Sequence, residues 1–348
     1  MLSRLAIATH EEVYHVTDPA AGLEGYIALH STALGPAAGG LRMRPYADPG
    51  AALEDVLNLS RGMSFKNAAA GLPLGGGKAV IIGDPAQAKT PELLRAMGRA
   101  VEALAGRYWT AEDMGMSPDD MAEIARETRF VAGLDKGRHA SGDPSPVTAH
   151  GVFNAMLVGA EAVFGARALA GRRVAVQGIG HVGWHLARML HDAGARLVLA
   201  DTDAARLAQT AAEFGAEIVL PGEVHAAEAD IFAPCAIGGI LNARSIPQIR
   251  ARLVAGAANN QLAEPADADR LAARGILYLP DYVANGGGII NVAAEILQID
   301  APGPWVAARL AGITATMERI LAQARAAGQT PAATADRLIA DMLLPRAV

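Results

Sequence analysis

Apolar residues recur along this chain in two periods. From Tyr26 to Leu34 they run almost continuously and stop at the turn-forming stretch "GPAAGG", which predicts a buried strand ending near a ligand-facing loop. Beyond it, Ala52, Val56, Leu59 and Met63 stand at helical spacing behind Asp48, predicting an Asp48-capped helix that ends near Lys66. "KAVIIGDP" then reads as a short buried strand. "ELLRAMGRAVEALAGRYWTAEDMG" reads as a helix followed by a strand whose end carries Glu112 and Asp113, and Ser117 caps the next helix. Charged residues at the carboxyl end of a strand are candidates for a site.

The second half repeats the alternation more regularly. "SGDPSPVTAHGVFNAMLVGAEAVFG" is a proline-rich joint running into a long helix, where the interdomain boundary is expected. A strand, Val174 to Val176, follows, then Gly178, Gly180 and Gly183 in GxGxxG spacing, a helix from Val182 to Ala193, and a strand from Leu197 to Ala200 that ends at Asp201. Strand, glycine turn, helix, strand and acid together form the dinucleotide-binding fingerprint. The backbone of Gly178, Ile179, Gly180, His181, Val182 and Gly183 would cradle a pyrophosphate at the helix N-terminus. Asp201 would accept the ribose hydroxyls and repel a 2′-phosphate, favouring NAD over NADP, although Arg206 lies nearby. "ADIFAPCAIGGILN" and "LVAGAANNQL" look like later strands of the same sheet, whose ends place Ala236, Ile237 and Asn260 toward the cofactor crevice.

Composition narrows the picture. At 348 residues the chain exceeds one core, and 51% apolar residues with only 4% aromatics describe a core of Ala, Val, Leu and Ile, as α/β layers have. The expected architecture is α/β in two domains: an N-terminal α/β domain, residues 1–136 with a C-terminal helix of about 322–348 packing back on it, and a Rossmann-type NAD-binding domain over 137–321. A net charge of -6 without a basic run argues against nucleic acid. No signal peptide or uninterrupted apolar run of about 18 residues is evident, so a cytoplasmic protein without a membrane partner is expected. The single cysteine, Cys235, excludes an internal disulfide and, lacking a neighbouring base, reads as a buried, inert thiol.

The segment "KNAAAGLPLGGGK" poses the chemical question, because it places Lys66 and Lys78 around small apolar residues and three glycines. A P-loop fails, since Leu72 stands where its first glycine belongs and Ala79 follows the lysine. Either lysine alone could be a solvated surface residue. Alternatively, one lysine pairs with a carboxylate and the other, desolvated near cations, loses its proton readily enough to act as a base. A nearby carboxylate would then shuttle protons, with Asp113 the leading candidate and Glu112 the alternative. No residues suggest a metal site.

At this point "GPAAGGLRM", "GMSFKNAAAGLPLGGGKAVI", "YWTAEDMG", "GDPSPVTAHGV", "VAVQGIGHVG", "AGAANNQL" and "PDYVANGGGIINV" resemble, in order and spacing, the amino-acid dehydrogenases of the glutamate, leucine, phenylalanine and valine group. The resemblance spans about Ala28 to Glu295. It implies that Lys66 holds the substrate carboxylate, that Gly39 and Gly40 are among the substrate-binding residues, that Lys78 activates water, and that Asp113 handles protons at the amino nitrogen. Asn260 and Thr148 would lie where cofactor and substrate meet. The implied reaction is reversible oxidative deamination to a 2-oxo acid and ammonium, and the implied assembly is a homo-oligomer, dimer to octamer. His181 and Trp184 depart from the smaller or amide residues common in the relatives' glycine turn.

Resemblance also suggests a substrate. The glutamate enzymes usually carry a lysine where this chain has Ala38, so a glutamate side chain would be buried unpaired at a cost of at least ~3 kcal/mol. The pocket positions carried over are Ala38, Met63, Ala111, Ile289 and Val292, all apolar. "IINV" favours a branched-chain aliphatic amino acid (leucine, valine, isoleucine), whereas Ala38 deepens the pocket toward phenylalanine. One methylene decides only ~1–3 kcal/mol, so broad specificity is expected. The rivals are a 2-hydroxy-acid dehydrogenase, which needs a His-based acid-base pair that His139, His150, His181 and His185 do not form, and an NAD-binding protein without turnover.

Overall fold

The computed structural model describes residues 1–343, and the chain divides into two α/β units. The first holds residues 1–144, to which 289–306 and the chain from 339 return; the second holds 145–288 and 307–338. The boundary thus falls at Pro144/Ser145, a few residues beyond the expected 137, and the chain comes back to the first unit well before 322.

In the first unit the elements are β1 (Leu2–Leu5), β2 (Glu12–Asp18), β3 (Leu23–Ser31), β4 (Ala37–Ala38), β5 (Leu41–Arg44), α1 (Pro49–Ala69), β6 (Gly75–Ile82), α2 (Pro85–Ala88), α3 (Pro91–Glu102), β7 (Tyr108–Trp109) and α4 (Pro118–Ile124). The sheet runs β1-β2-β3-β6-β4-β7, with β5 also pairing β6. Its first three strands and β6 are antiparallel neighbours, while β4 and β5 lie parallel to β6. Alternation along β3 explains the layers: Ile27 and Leu29 join a core with Met97 and Leu93 of α3, whereas Tyr26 and Ala28 join Ala52 and Val56 of α1 on the other face.

Several expectations shift here. The strand predicted over Tyr26–Leu34 runs instead from Leu23 to Ser31, because Thr32 to Gly35 close a turn with Gly35 N–H bonded to the Thr32 carbonyl. Asp48 does cap α1, its carboxylate accepting from Ala51 N–H at 2.9 Å. The buried row of that helix, however, continues from Ala52 and Val56 into Ser60, Ser64 and Asn67, while Leu59 and Met63 are half-buried. The glycines before Lys78 belong to β6 itself and form no loop. A Cβ on Gly76 would stand 2.1 Å from Ser64 N, and one on Gly77 would stand 2.7 Å from the Tyr108 ring, so the run lets α1 and β7 approach β6 closely.

The second unit contains α5 (Ser145–Phe164), β8 (Arg173–Gln177), α6 (His181–Asp192), β9 (Arg196–Ala200), α7 (Ala204–Phe214), β10 (Glu217–Ile218), β11 (Ile231–Pro234), β12 (Leu253–Val254), α8 (Ala266–Ala273), β13 (Leu277–Tyr278) and α9 (Asp281–Ala284). Its strands are all parallel, in the order β10-β9-β8-β11-β12-β13. Relabelled from β8 this is 3-2-1-4-5-6, the doubly wound order with its switch point between β8 and β11. The later strands are shorter than "LVAGAANNQL" suggests, since only Leu253 and Val254 pair before the chain leaves the sheet. Helix α5 is long and apolar enough to cross a membrane by length and composition, yet Ala149, Val152, Met156 and Ala160 are buried within the protein.

Helix α10 (Gly287–Ile296) begins at the unit boundary. Its Glu295 holds the segment before α5: the carboxylate accepts from Gly133 N–H at 2.8 Å, Ser141 N–H at 3.1 Å and the Ser141 hydroxyl at 2.7 Å. Those bonds give 289–306 a place in the first unit. In place of one C-terminal helix over 322–348 there are α11 (Pro302–Ala327) and α12 (Pro331–Leu343), broken at Gly328 with φ +62°; residues 344–348 lie outside the described residues.

Candidate active site

In the first unit, Lys78 projects from the middle of β6 with 6% of its side chain exposed, and its Nζ lies 3.1 Å from Asp113 Oδ2. Asp113 reaches this position because the chain after β7 continues alongside β5, with Leu41 N–H bonded to the Ala111 carbonyl at 2.7 Å and Met43 N–H to the Met114 carbonyl at 2.9 Å. Gly40 makes room for it, since a Cβ there would sit 2.9 Å from that of Asp113. Glu112, the alternative, is exposed on the next position. A turn that needs Gly115 at φ +80° then ends the segment.

Arg42 of β5 completes the cluster. Its Nε donates to the same Asp113 Oδ2 at 2.8 Å, and its Nη1 donates to Asp55 Oδ2 at 3.1 Å, which also accepts the Tyr46 hydroxyl at 2.7 Å. Burial pushes the Lys78 proton affinity down, Asp113 pulls it part of the way back, and Arg42 pushes it down again, leaving it below the usual lysine range. Burial would raise Asp113, but Lys78 and Arg42 outweigh it and hold the carboxyl below its usual range. An ionised carboxylate beside a lysine that parts readily with its proton can move protons in either direction.

The remaining first-unit positions lie on α1, beside β4 and on α10. Lys66 lies half-buried in the last turn of α1, next to Asn67, whose Nδ2 donates to the Gly75 carbonyl at 2.5 Å and to the Ala38 carbonyl at 3.4 Å. Asn67 thereby pins the end of α1 to β4 and β6. Gly39 N–H is bonded to the Trp109 carbonyl and its own carbonyl accepts the Tyr108 hydroxyl at 2.7 Å. The Met63 side chain lies over Gly39, where a Cβ would be 2.8 Å from its Cγ. Ala38 is fully buried, and Ala111, Ile289 and Val292 are nearly so.

The second unit carries the glycine turn after β8. Gly178 has φ +89° and a Cβ there would meet that of Ala236 at 2.7 Å; one on Gly183 would sit 1.9 Å from the Gly178 carbonyl oxygen. Only glycine fits either place. Gly180 caps α6 without a side-chain bond, and His181 and Val182 open the helix, so the first-turn N–H groups face no capping side chain. Asp201 Oδ2 accepts from Ile179 N–H at 2.6 Å and Oδ1 from Asp203 N–H at 2.8 Å, so the acid also fastens the turn. Trp184 points to α7, packing on Phe214. Arg206 is tied to Asp203 at 2.8 Å. Ile237 is exposed, and burial pushes the Cys235 thiol up to about 12, an inert group.

Asn260 is exposed with φ +53°, its carbonyl accepting from Gly239 N–H at 2.8 Å. Thr148 sits in the first turns of α5, against Gly287, whose added Cβ would be 3.0 Å from the Thr148 Cα. The Asn260 loop is clamped by residues the sequence reading passed over: Gln261 donates to the Gly256 and Ala258 carbonyls, Asp281 accepts from Gln261 N–H, and Asn285 donates to the Ala257 carbonyl and to Asn259 Oδ1. Arg42, Asp55 and Tyr46 were passed over too. Arg42 lies inside "GPAAGGLRM", and polar residues in otherwise apolar motifs were the available signal.

The chain is similar to known proteins along most of its length. Residues 10–130 match the family described as Glu/Leu/Phe/Val dehydrogenase, dimerisation domain, and residues 199–340 match Glutamate/Leucine/Phenylalanine/Valine dehydrogenase. The leucine dehydrogenase of Geobacillus stearothermophilus is 50% identical over 287 residues, 82% of this chain and 78% of that protein. The valine dehydrogenase of Streptomyces virginiae is 47% identical over 332 residues, 94% of this chain and 92% of that protein. Among solved structures, the L-tryptophan dehydrogenase from Nostoc punctiforme superposes with TM-score 0.83 at 41% identity, covering 98% of this chain and 97% of that one.

Proposed function

Because this chain belongs to the glutamate/leucine/phenylalanine/valine dehydrogenase family, we propose that it catalyses the NAD-dependent reversible oxidative deamination of an apolar L-amino acid, with leucine, valine and isoleucine favoured. The observation that carries the reading is the buried Lys78 with its Nζ 3.1 Å from Asp113.

The turn from Gly178 to Gly183 and Asp201 fit a dinucleotide, since both crowded glycines leave backbone where a Cβ would stand. The backbone of that turn and Asp201 would hold NAD, which when bound would supply the hydride acceptor. Lys66 pairs with the substrate carboxylate and fixes which hydrogen is presented. Asp113 receives a proton from the substrate amino group as the Cα–N bond becomes an imine. Neutral Lys78 then takes a proton from water as its oxygen adds to Cα. The resulting carbinolamine is protonated on nitrogen by Asp113, the C–N bond breaks, and the hydroxyl proton leaves to give the 2-oxo acid and ammonia, which is protonated to ammonium. Each step runs backwards in reductive amination.

The carboxylate at Asp201, with Arg206 held by Asp203, supports NAD over NADP. Ala38, Met63, Ala111, Ile289 and Val292, the positions that the resemblance carries over to the substrate side chain, are all apolar and include no cation for a glutamate side chain. A second reading, an aromatic L-amino acid such as phenylalanine, is favoured by the small side chain of Ala38 and by the likeness to the L-tryptophan dehydrogenase. A cytoplasmic homo-oligomer is supported by the lone cysteine and by the match of residues 10–130 to a dimerisation domain. The discriminating experiment is NADH oxidation with 4-methyl-2-oxopentanoate: it requires ammonium on this reading, whereas a 2-hydroxy-acid dehydrogenase turns over without it.

A further inference from the structure

Arg42 has no part in the steps above, yet it touches both carboxylates of the cluster. On β5 it stands opposite Val80 of β6, so its side chain shares the face from which Lys78, two residues earlier, projects. Its Nε and the Lys78 Nζ converge on a single oxygen, Asp113 Oδ2, at 2.8 Å and 3.1 Å. Both contacts use one carboxylate oxygen, which leaves Oδ1 for the substrate nitrogen. From behind, Asp55 accepts Arg42 Nη1 at 3.1 Å and is itself held by the Tyr46 hydroxyl at 2.7 Å.

A buried lysine with a carboxylate to itself forms an ion pair and keeps its proton. Here the carboxylate is shared with a guanidinium that never gives up its charge. We propose that Arg42 is a positioning residue, braced by Asp55 and Tyr46, that aims Asp113 and takes up half of its charge so that Lys78 is free to act as the base. The inference rests on the deamination reading above. The directions of the Lys78 and Asp113 shifts agree with it, since Arg42 lowers both.

The test compares Arg42→Met, Arg42→Lys and Tyr46→Phe with the full-length protein. In Arg42→Met the account expects kcat for deamination to fall on the order of 10- to 100-fold. The acid limb of its pH profile should move up by about one pH unit. Substrate KM should stay within about threefold, because only an interaction of the chemical step has been removed. Arg42→Lys restores part of kcat, and Tyr46→Phe moves the limb the same way by less. A fall in kcat with an unmoved pH profile, or no fall, overturns the role. If Arg42→Met does not fold, Tyr46→Phe decides alone: a raised limb supports the proposal and an unmoved limb overturns it. The pH dependence of Lys78 carbamylation by cyanate, read by mass spectrometry, needs no turnover. It separates the two failures: wild type without turnover refutes the deamination reading, and carbamylation unaltered by Arg42→Met refutes the role of Arg42.

Discussion

Lys78 Nζ stands 3.1 Å from Asp113 Oδ2, and 22% of the Asp113 side chain but only 6% of that of Lys78 is exposed. On the proposed deamination reading the more accessible carboxylate would trade protons with the substrate nitrogen, and the sheltered lysine would activate the water that adds to Cα. Lys78→Ala should therefore lower kcat on the order of 10³-fold while NADH affinity is retained. Lys78→Arg should not rescue, because a guanidinium cannot act as the base. Single-turnover kinetics beside NADH fluorescence titration check both.

The glycine run of β6 makes a stability prediction with an internal control. A Cβ on Gly76 would lie 2.1 Å from the Ser64 backbone nitrogen, whereas one on Gly62 of α1 meets nothing within 4 Å. Gly76→Ala should cost about 3 kcal/mol or more by overpacking. Gly62→Ala should gain ~1 kcal/mol from helix propensity. Urea denaturation of the two variants measures the contrast.

Acid should weaken the first unit through His30. Its Nδ1 is 2.8 Å from Ser64 Oγ, and burial, then His10 and Arg61, lower its pKa from 6.5 to about 4 against an opposing Glu11. Between those values the unfolded chain binds more protons than the folded one, so stability is full above pH 6.5 and falls as pH drops toward 4. With half the ring near solvent, ~1 kcal/mol is the expected size. Melting curves at pH 7 and pH 5 should show a smaller loss in His30→Asn than in wild type.

Asp201 should set the cofactor. Its carboxylate already accepts the Ile179 and Asp203 amides, so Asp201→Asn removes the charge while leaving an acceptor. The ratio of NADPH to NADH dissociation constants should fall by at least about tenfold, equivalent to ~1.4 kcal/mol. Isothermal titration of both nucleotides gives the ratio.

What the sequence disclosed follows from how local the causes are. The glycine turn, Asp201 and the Asp48 and Ser117 caps depend on neighbours a few residues away, and the structure has them where the spacing puts them. Glu112 and Asp113 share one strand end in the sequence, and only the fold separates them, with Glu112 exposed and Asp113 beside Lys78. Ser60, Ser64 and Asn67 escaped because they are polar on a buried helix face, an arrangement made tolerable by His10, His30 and the Gly75 carbonyl, which come from elsewhere in the chain. The same non-locality hid Arg42, whose partners lie 13 and 71 residues away. It also hid the meaning of "LGGGK", where the glycines admit a helix and a tyrosine ring.

The most direct measurement of the central claim is the initial rate of NAD reduction at alkaline pH with leucine, valine, isoleucine, phenylalanine, tryptophan and glutamate. The account predicts turnover with the branched-chain amino acids at the highest kcat/KM, weaker turnover with the aromatic ones, and none with glutamate. Reduction with glutamate alone, or with none of the six, would contradict it.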